Sequence, residues 1–210
     1  MALCTNIAPP RVILLLRHAE KPTDNKDPNL SPKGYSRAGA LPAWLINTYG
    51  RPIAVYAMKS GDAGADSIKR DRFLGYTATY SGSPQTPQEH KTHRPVQTVT
   101  PLAQALGQTV LSPYGYGQTN QIVNEILTTP AYSGKLVVLC WVHGEIKSLA
   151  QQFGYTQAKD WDGNDFDHVW AITMGTTPNN NNNTMRYILK DTPTTMEIVP
   201  QRLLFGDASK

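Results

Sequence analysis

Two runs of apolar residues without polar alternation stand out along the chain, Val12 to Leu16 and Leu136 to Trp141. A strand with one wet face alternates, so unbroken runs of this length read as strands covered on both faces, as at the centre of a sheet between helix layers. Other stretches repeat at helical spacing. Tyr35, Ala38, Leu41 and Leu45 form an apolar stripe in a helix expected from Pro32 to about Thr48, with Ser31 as N-cap and Pro32 at the first position. Lys33 and Arg37 are expected to face away from the sheet, and Pro42 to kink the helix. Val96, Val99, Ala103 and Leu106 mark a second helix opening at Pro95 and stopping at Gly107. Ile122, Val123, Ile126 and Leu127 mark a third from about Thr119, and Ile146, Leu149, Ala150 and Phe153 a fourth before Gly154. Shorter strands are expected at 53–57, 109–111, 169–173 and 185–189, with 202–205 as an edge strand or a packed terminus. Strands alternating with helices in this way predict a three-layer α/β/α domain with a mostly parallel central sheet.

One region breaks the pattern. From Met58 to Thr92 the chain carries Gly, Ser, Thr, Pro and charge with no periodic apolar face. A loop this long inside a compact domain is either disordered or functional, as a lid or a substrate-choosing insertion. The Asn179 to Asn183 run reads as a turn without chemistry. The expected organisation is therefore one domain over 1–210, with an insertion at about 58–92.

Composition narrows the partners more than the fold. The chain has 210 residues, 40 % of them hydrophobic, which is enough for a real core. Its 20 basic and 16 acidic residues leave a net charge of +4, spread without a basic run. That argues against nucleic acid and suits a small anion. Cys4 and Cys140 suggest no disulfide framework. Without a secretory leader pattern or a membrane-length apolar run, the expectation is a soluble, cytoplasmic protein. Asn29 and Asn182 head formal glycosylation sequences that matter only outside the cell. Nothing in the sequence sets the oligomeric state.

The candidate chemistry lies at the ends of the two apolar runs. Arg17 and His18 follow the first, and His143 closes the second just before a helix begins. Ligands of open α/β sheets bind outside the carboxyl ends of the strands, so a fixed cation and an imidazole there suggest an anion site. Arg94 stands before Pro95 at a helix start, where free N–H groups and the helix dipole already favour phosphate. Taken singly, each has a plain structural explanation, as a solvated arginine or a histidine closing a strand. Two histidines and two arginines in these positions are harder to explain that way. His90, His93 and His168 lack the Cys or acidic companions of a zinc pattern, so no metal or other cofactor is expected. There is no Gly-x-Ser-x-Gly elbow, His-Glu-x-x-His pair or Gly-x-x-x-x-Gly-Lys loop.

Three segments in order, Arg17-His18-Ala19 with Lys21 close behind, Arg94-Pro-Val-Gln-Thr98, and His143-Gly144-Glu145, resemble the histidine phosphatase superfamily, the phosphoglycerate mutase-like enzymes. Ser31-Pro-Lys-Gly-Tyr-Ser-Arg-Ala38 is also similar to that family's first helix. The resemblance spans Arg11 to about Phe153 and implies a phosphoglycerate mutase-like fold. It further implies a metal-independent phosphoric monoester hydrolase in which His18 attacks phosphorus to give a phosphohistidine that water hydrolyses, while Arg17, Lys21, Arg94 and His143 bind the phosphoryl oxygens. A mutase is disfavoured, because the residues after His18 depart from the mutase pattern. The substrate would be a small phosphorylated molecule, with inorganic phosphate as product. The proton donor is open among Glu145, Glu125 and Glu20, with Glu145 favoured for its place beside His143. The alternative is a catalytically inactive phosphate-binding or scaffolding member of the same fold.

Overall fold

A computed structural model describes residues 8–24, 26–60, 92–175, 194–204 and 207. Both apolar runs are strands with every residue buried, β1 (Val12–Arg17) and β3 (Leu136–Trp141). They lie side by side in parallel, level from Val12 opposite Leu136 to Arg17 opposite Trp141. The two strand tips that carry the candidate histidines are therefore neighbours. β2 (Ala54–Ala57) pairs in parallel with the far side of β3, and Ile53, expected in this strand, lies outside it and is exposed.

On the other side of β1 the sheet turns antiparallel. β4 (His168–Thr173) pairs antiparallel with β1, and β5 (Thr195–Pro200) antiparallel with β4, giving the order β2-β3-β1-β4-β5. The five-stranded sheet is mixed, not mostly parallel as its sequence suggested. The cause is the segment 153–167. It carries the chain back to the carboxyl end of β1, so β4 starts beside Leu16, at Val169, and runs the opposite way.

Among the described residues, four α-helices cover the sheet: α1 (Pro32–Tyr49), α2 (Arg94–Leu106), α3 (Thr119–Thr128) and α4 (His143–Gln152). Side chains alternate across β1, and the two faces fill separate cores. Val12, Leu14 and Leu16 pack with Leu41 and Leu45 of α1 and with Val96, Val99 and Leu102 of α2. Ile13 and Leu15 share the opposite core with Ile122 and Ile126 of α3 and with Ile146, Leu149 and Phe153 of α4. The three-layer arrangement follows from this division.

α1 begins as expected, with the Ser31 hydroxyl accepting the Gly34 N–H at 3.1 Å, and it runs through Pro42 to Tyr49 without a break. Arg37, however, does not face away. It is buried among three carboxylates, because positions 37, 41 and 45 share one helical stripe and position outweighed charge. At 109–111 there is only an isolated bridge from Leu111 to Tyr56, and no strand forms over 201–204. Arg202, at φ 51°, turns the chain out of extended conformation, and β5 ends just before it. The expected strand at 185–189, the Asn179 to Asn183 turn, His90, Cys4 and most of the 58–92 insertion lie outside the described residues. Among those residues, no helix is long and apolar enough to cross a membrane.

Candidate active site

At the carboxyl tips of β1 and β3, the His18 N–H donates to the Trp141 carbonyl at 3.1 Å, which extends the strand pairing by one residue. The His18 side chain is 4 % exposed, and its Nδ1 lies 2.8 Å from the carbonyl oxygen of Ala19. A carbonyl only accepts, so Nδ1 carries the proton and Nε2 holds a free lone pair. Burial pushes the imidazole down to about 3, and the positive charges of Arg17, Arg94 and His143 push the same way. His18 is thus a neutral imidazole with a set tautomer, held among cations.

The loop after His18 is fastened by the start of α2. Thr98 Oγ1 accepts the Ala19 N–H at 2.9 Å and donates to the Arg94 carbonyl at 2.7 Å. Gln97 accepts the Leu30 N–H through Oε1 and donates to the Asn29 side chain through Nε2. The Arg-x-x-Gln-Thr segment therefore places Arg94 and braces the His18 loop at once.

Both arginines are tethered by main-chain carbonyls. Arg17 Nη1 donates to Gly163 at 2.6 Å and Asp165 at 3.0 Å, with the Asp162 carbonyl at 3.5 Å. Its guanidinium carbon sits 3.8 Å over the centre of the Phe166 ring. Arg17 Nε is buried without a hydrogen-bond partner, and Nη2 donates to no described residue. Arg94 donates from Nε to the Asn29 carbonyl at 2.9 Å and from Nη2 to that of Asp27. Desolvation lowers the Arg94 pKa and brings that of Arg17 down to about 10, so both stay charged at neutral pH. Carbonyl partners orient a guanidinium without cancelling its charge, which leaves positive potential for an anion.

His143 opens α4 and is exposed; desolvation and the charges of Arg17 and Lys21 depress its pKa. Lys21, also exposed, is thus within electrostatic reach of His143. Electrostatic interactions thus link Arg17, His18, Arg94 and His143, and reach Lys21 through His143.

The three carboxylates considered as proton donors have other partners. Glu20 receives three hydrogen bonds from Arg37. Glu125 accepts from Tyr56 at 2.5 Å and from Tyr114 at 2.7 Å, and Tyr56 also meets the hydroxyl of Tyr132. Glu145 accepts from Trp141 Nε1 at 2.7 Å and from the Gly117 N–H at 2.8 Å. Both oxygens of each are occupied, and Glu145 ties the start of α4 to β3 and to the loop before α3.

The segment Asp162 to Phe166, which supplies the Arg17 tether and an aromatic ring 6.1 Å from that of His18, carried no periodic pattern. Its only mark in the sequence is a set of turn-forming residues, and the Asp162 side chain accepts the Asn164 N–H at 2.9 Å. Among the described residues, no three His, Cys, Asp or Glu side chains are grouped as metal ligands. His168 instead pairs with Asp165 at 2.8 Å.

No family model matches the chain, and no curated protein matches it. Among solved structures it is similar to a protein of Nakamurella multipartitia provisionally named phosphohistidine phosphatase SixA. The likeness covers 93 % of this chain and 99 % of that one, at 15 % identity and a TM-score of 0.48.

Proposed function

We propose that the protein is a phosphatase in which His18 is the nucleophile and a phosphohistidine the intermediate. The observation that carries this reading is a neutral, tautomerically fixed imidazole beside two arginines whose partners are carbonyls rather than carboxylates. Such a site attracts a phosphoryl group and has a lone pair to attack it.

In the first step Nε2 of His18 bonds to phosphorus as the bond to the leaving oxygen breaks. Arg17, Arg94, Lys21 and His143 hold the phosphoryl oxygens as charge spreads over them. Water then attacks phosphorus, the P–N bond breaks, and phosphate leaves His18 neutral. Positive charge for this chemistry comes from side chains, so turnover is expected to survive chelators. Glu145, with both oxygens engaged, serves by fixing the start of α4 and with it His143. A proton for the leaving group must then come from solvent or from another acid, which favours substrates whose leaving group departs easily.

The engaged carboxylates also support a second reading, a phosphate-binding protein that keeps the cationic pocket and does not turn over. Hydrolysis of an aryl phosphate in the presence of chelator, followed across pH for the wild type and His18→Ala, separates the two. Chelator-resistant turnover should fall by at least roughly a thousandfold in His18→Ala, and alkali-quenched wild type should carry phosphate on His18. Comparable turnover in the variant would remove His18 as nucleophile. Phosphate binding with no turnover of any ester would leave the binding reading.

A further inference from the structure

Arg17 has two edges with different fates. Nη1 is committed to the carbonyls of Gly163 and Asp165. Nε and Nη2, whose N–H bonds point the same way, form the fork that donates two parallel hydrogen bonds to an oxyanion, and neither has a partner among the described residues. A buried donor without an acceptor is costly and calls for a ligand or a water. The guanidinium plane is defined by one contact more, the Phe166 ring at 3.8 Å. That ring is half-buried and also lies beside His18.

We propose that Phe166 is a positioning residue: stacked beneath Arg17, it holds the guanidinium so that the Nε and Nη2 edge, rather than Nη1, meets the phosphoryl oxygens. The role deepens the phosphatase reading but does not depend on turnover, because it concerns how Arg17 meets an oxyanion. The two carbonyl bonds alone act as a hinge, since a guanidinium fixed through one nitrogen can still swing about it. A flat ring under the plane removes that freedom and keeps water from the face of the cation. An aliphatic side chain of similar volume would fill the space without the attraction of an aromatic face.

The test is a double-mutant cycle between Phe166 and Arg17, with inorganic phosphate as the ligand and calorimetry as the readout. Phe166→Leu should weaken phosphate binding about tenfold, and Phe166→Tyr should stay within about twofold of wild type. In an Arg17→Ala background, Phe166→Leu should cost no further affinity. Thermal unfolding of each variant checks that the fold is kept. Unchanged phosphate affinity in Phe166→Leu would overturn the role, as would equal losses with and without Arg17 or failure of Tyr to rescue. If the wild type binds phosphate and shows the coupling yet hydrolyses no ester, the phosphatase reading fails and the positioning role stands.

Discussion

His18 shows how a single side chain is prepared by its surroundings. An ordinary histidine carries a proton on each nitrogen for part of the time near neutrality, and a protonated Nε2 has no lone pair to offer. Here desolvation, reinforced by Arg17, Arg94 and His143, lowers the imidazole to about 3. The cost appears in the pH dependence of folding. The unfolded chain takes up a proton near pH 6.5 that the folded chain refuses until about 3, so between those values the unfolded state binds more protons and stability falls as pH falls. His18→Gln removes this contribution while keeping a polar side chain. Urea unfolding measured from pH 7 to 3 should give a shallower loss of stability for the variant, by up to about 1.4 kcal/mol for each pH unit within the window. Carboxylates such as Asp207, held down to about 2 beside Arg37, act in both proteins and drop out of the difference. Identical pH slopes would mean that His18 is not buried as a neutral group.

At the scale of elements, the site depends on α1 lying close against the loop that follows β1. The contact is through Gly34, where an added Cβ would come within 2.4 Å of the Glu20 carbonyl oxygen and 3.0 Å of its nitrogen, both backbone atoms that cannot swing aside. That carbonyl also accepts the Ser31 N–H at 2.9 Å, at the N-cap of the same helix. Gly34→Ala should therefore push α1 off the loop despite the better helix propensity of alanine. It should cost about 1–3 kcal/mol in urea unfolding and lower phosphate affinity by displacing His18. A variant as stable as wild type would show that the two elements can part freely. The unbroken apolar runs and the helical stripes made β1, β3 and the four described helices legible, because burial on both faces and 3.6-residue spacing leave direct marks on sequence. The direction of β4 left none: Val169 to Ile172 would look the same in a parallel strand, and only the return of 153–167 to the site end decides it. The places of Arg17, His18, Arg94 and His143 at element ends could be read from the sequence. The contact of Phe166 with Arg17 could not, since it arises from a loop brought to Arg17 by that same return.

At the scale of the whole molecule, one buried arginine links segments far apart in the chain. Arg37 bonds Glu20, two residues beyond His18, at 2.7 Å; Asp167, next to Phe166, at 3.0 Å; and Asp207, near the C-terminus, at 2.7 Å. It contrasts with Arg17 and Arg94: carboxylate partners cancel its charge and hold its pKa above the ordinary arginine value, so it offers nothing to an anion and works as a fastener. The two loops it joins are the ones that carry His18 and the Arg17 tether. Removing one member of a buried ionic cluster leaves the others uncompensated, which is more damaging than the net worth of the bonds. Arg37→Met should then cost about 3–5 kcal/mol in urea unfolding, from repulsion and desolvation of carboxylates of which, among the described residues, only Glu20 keeps a cation, Lys33 at 3.6 Å. Asp207→Asn should cost far less, since Arg37 keeps Glu20 and Asp167, and the Asp167 carboxyl, raised by burial and by the charge of Asp207, is relieved of a like-charged neighbour. Arg37→Lys should recover only part of the loss, because a single ammonium cannot reach three carboxylates with the spread of a guanidinium. Equal losses for Arg37→Met and Asp207→Asn would instead place the strength of the cluster in the attachment of the C-terminal segment, and the two site loops would then be held by their own contacts.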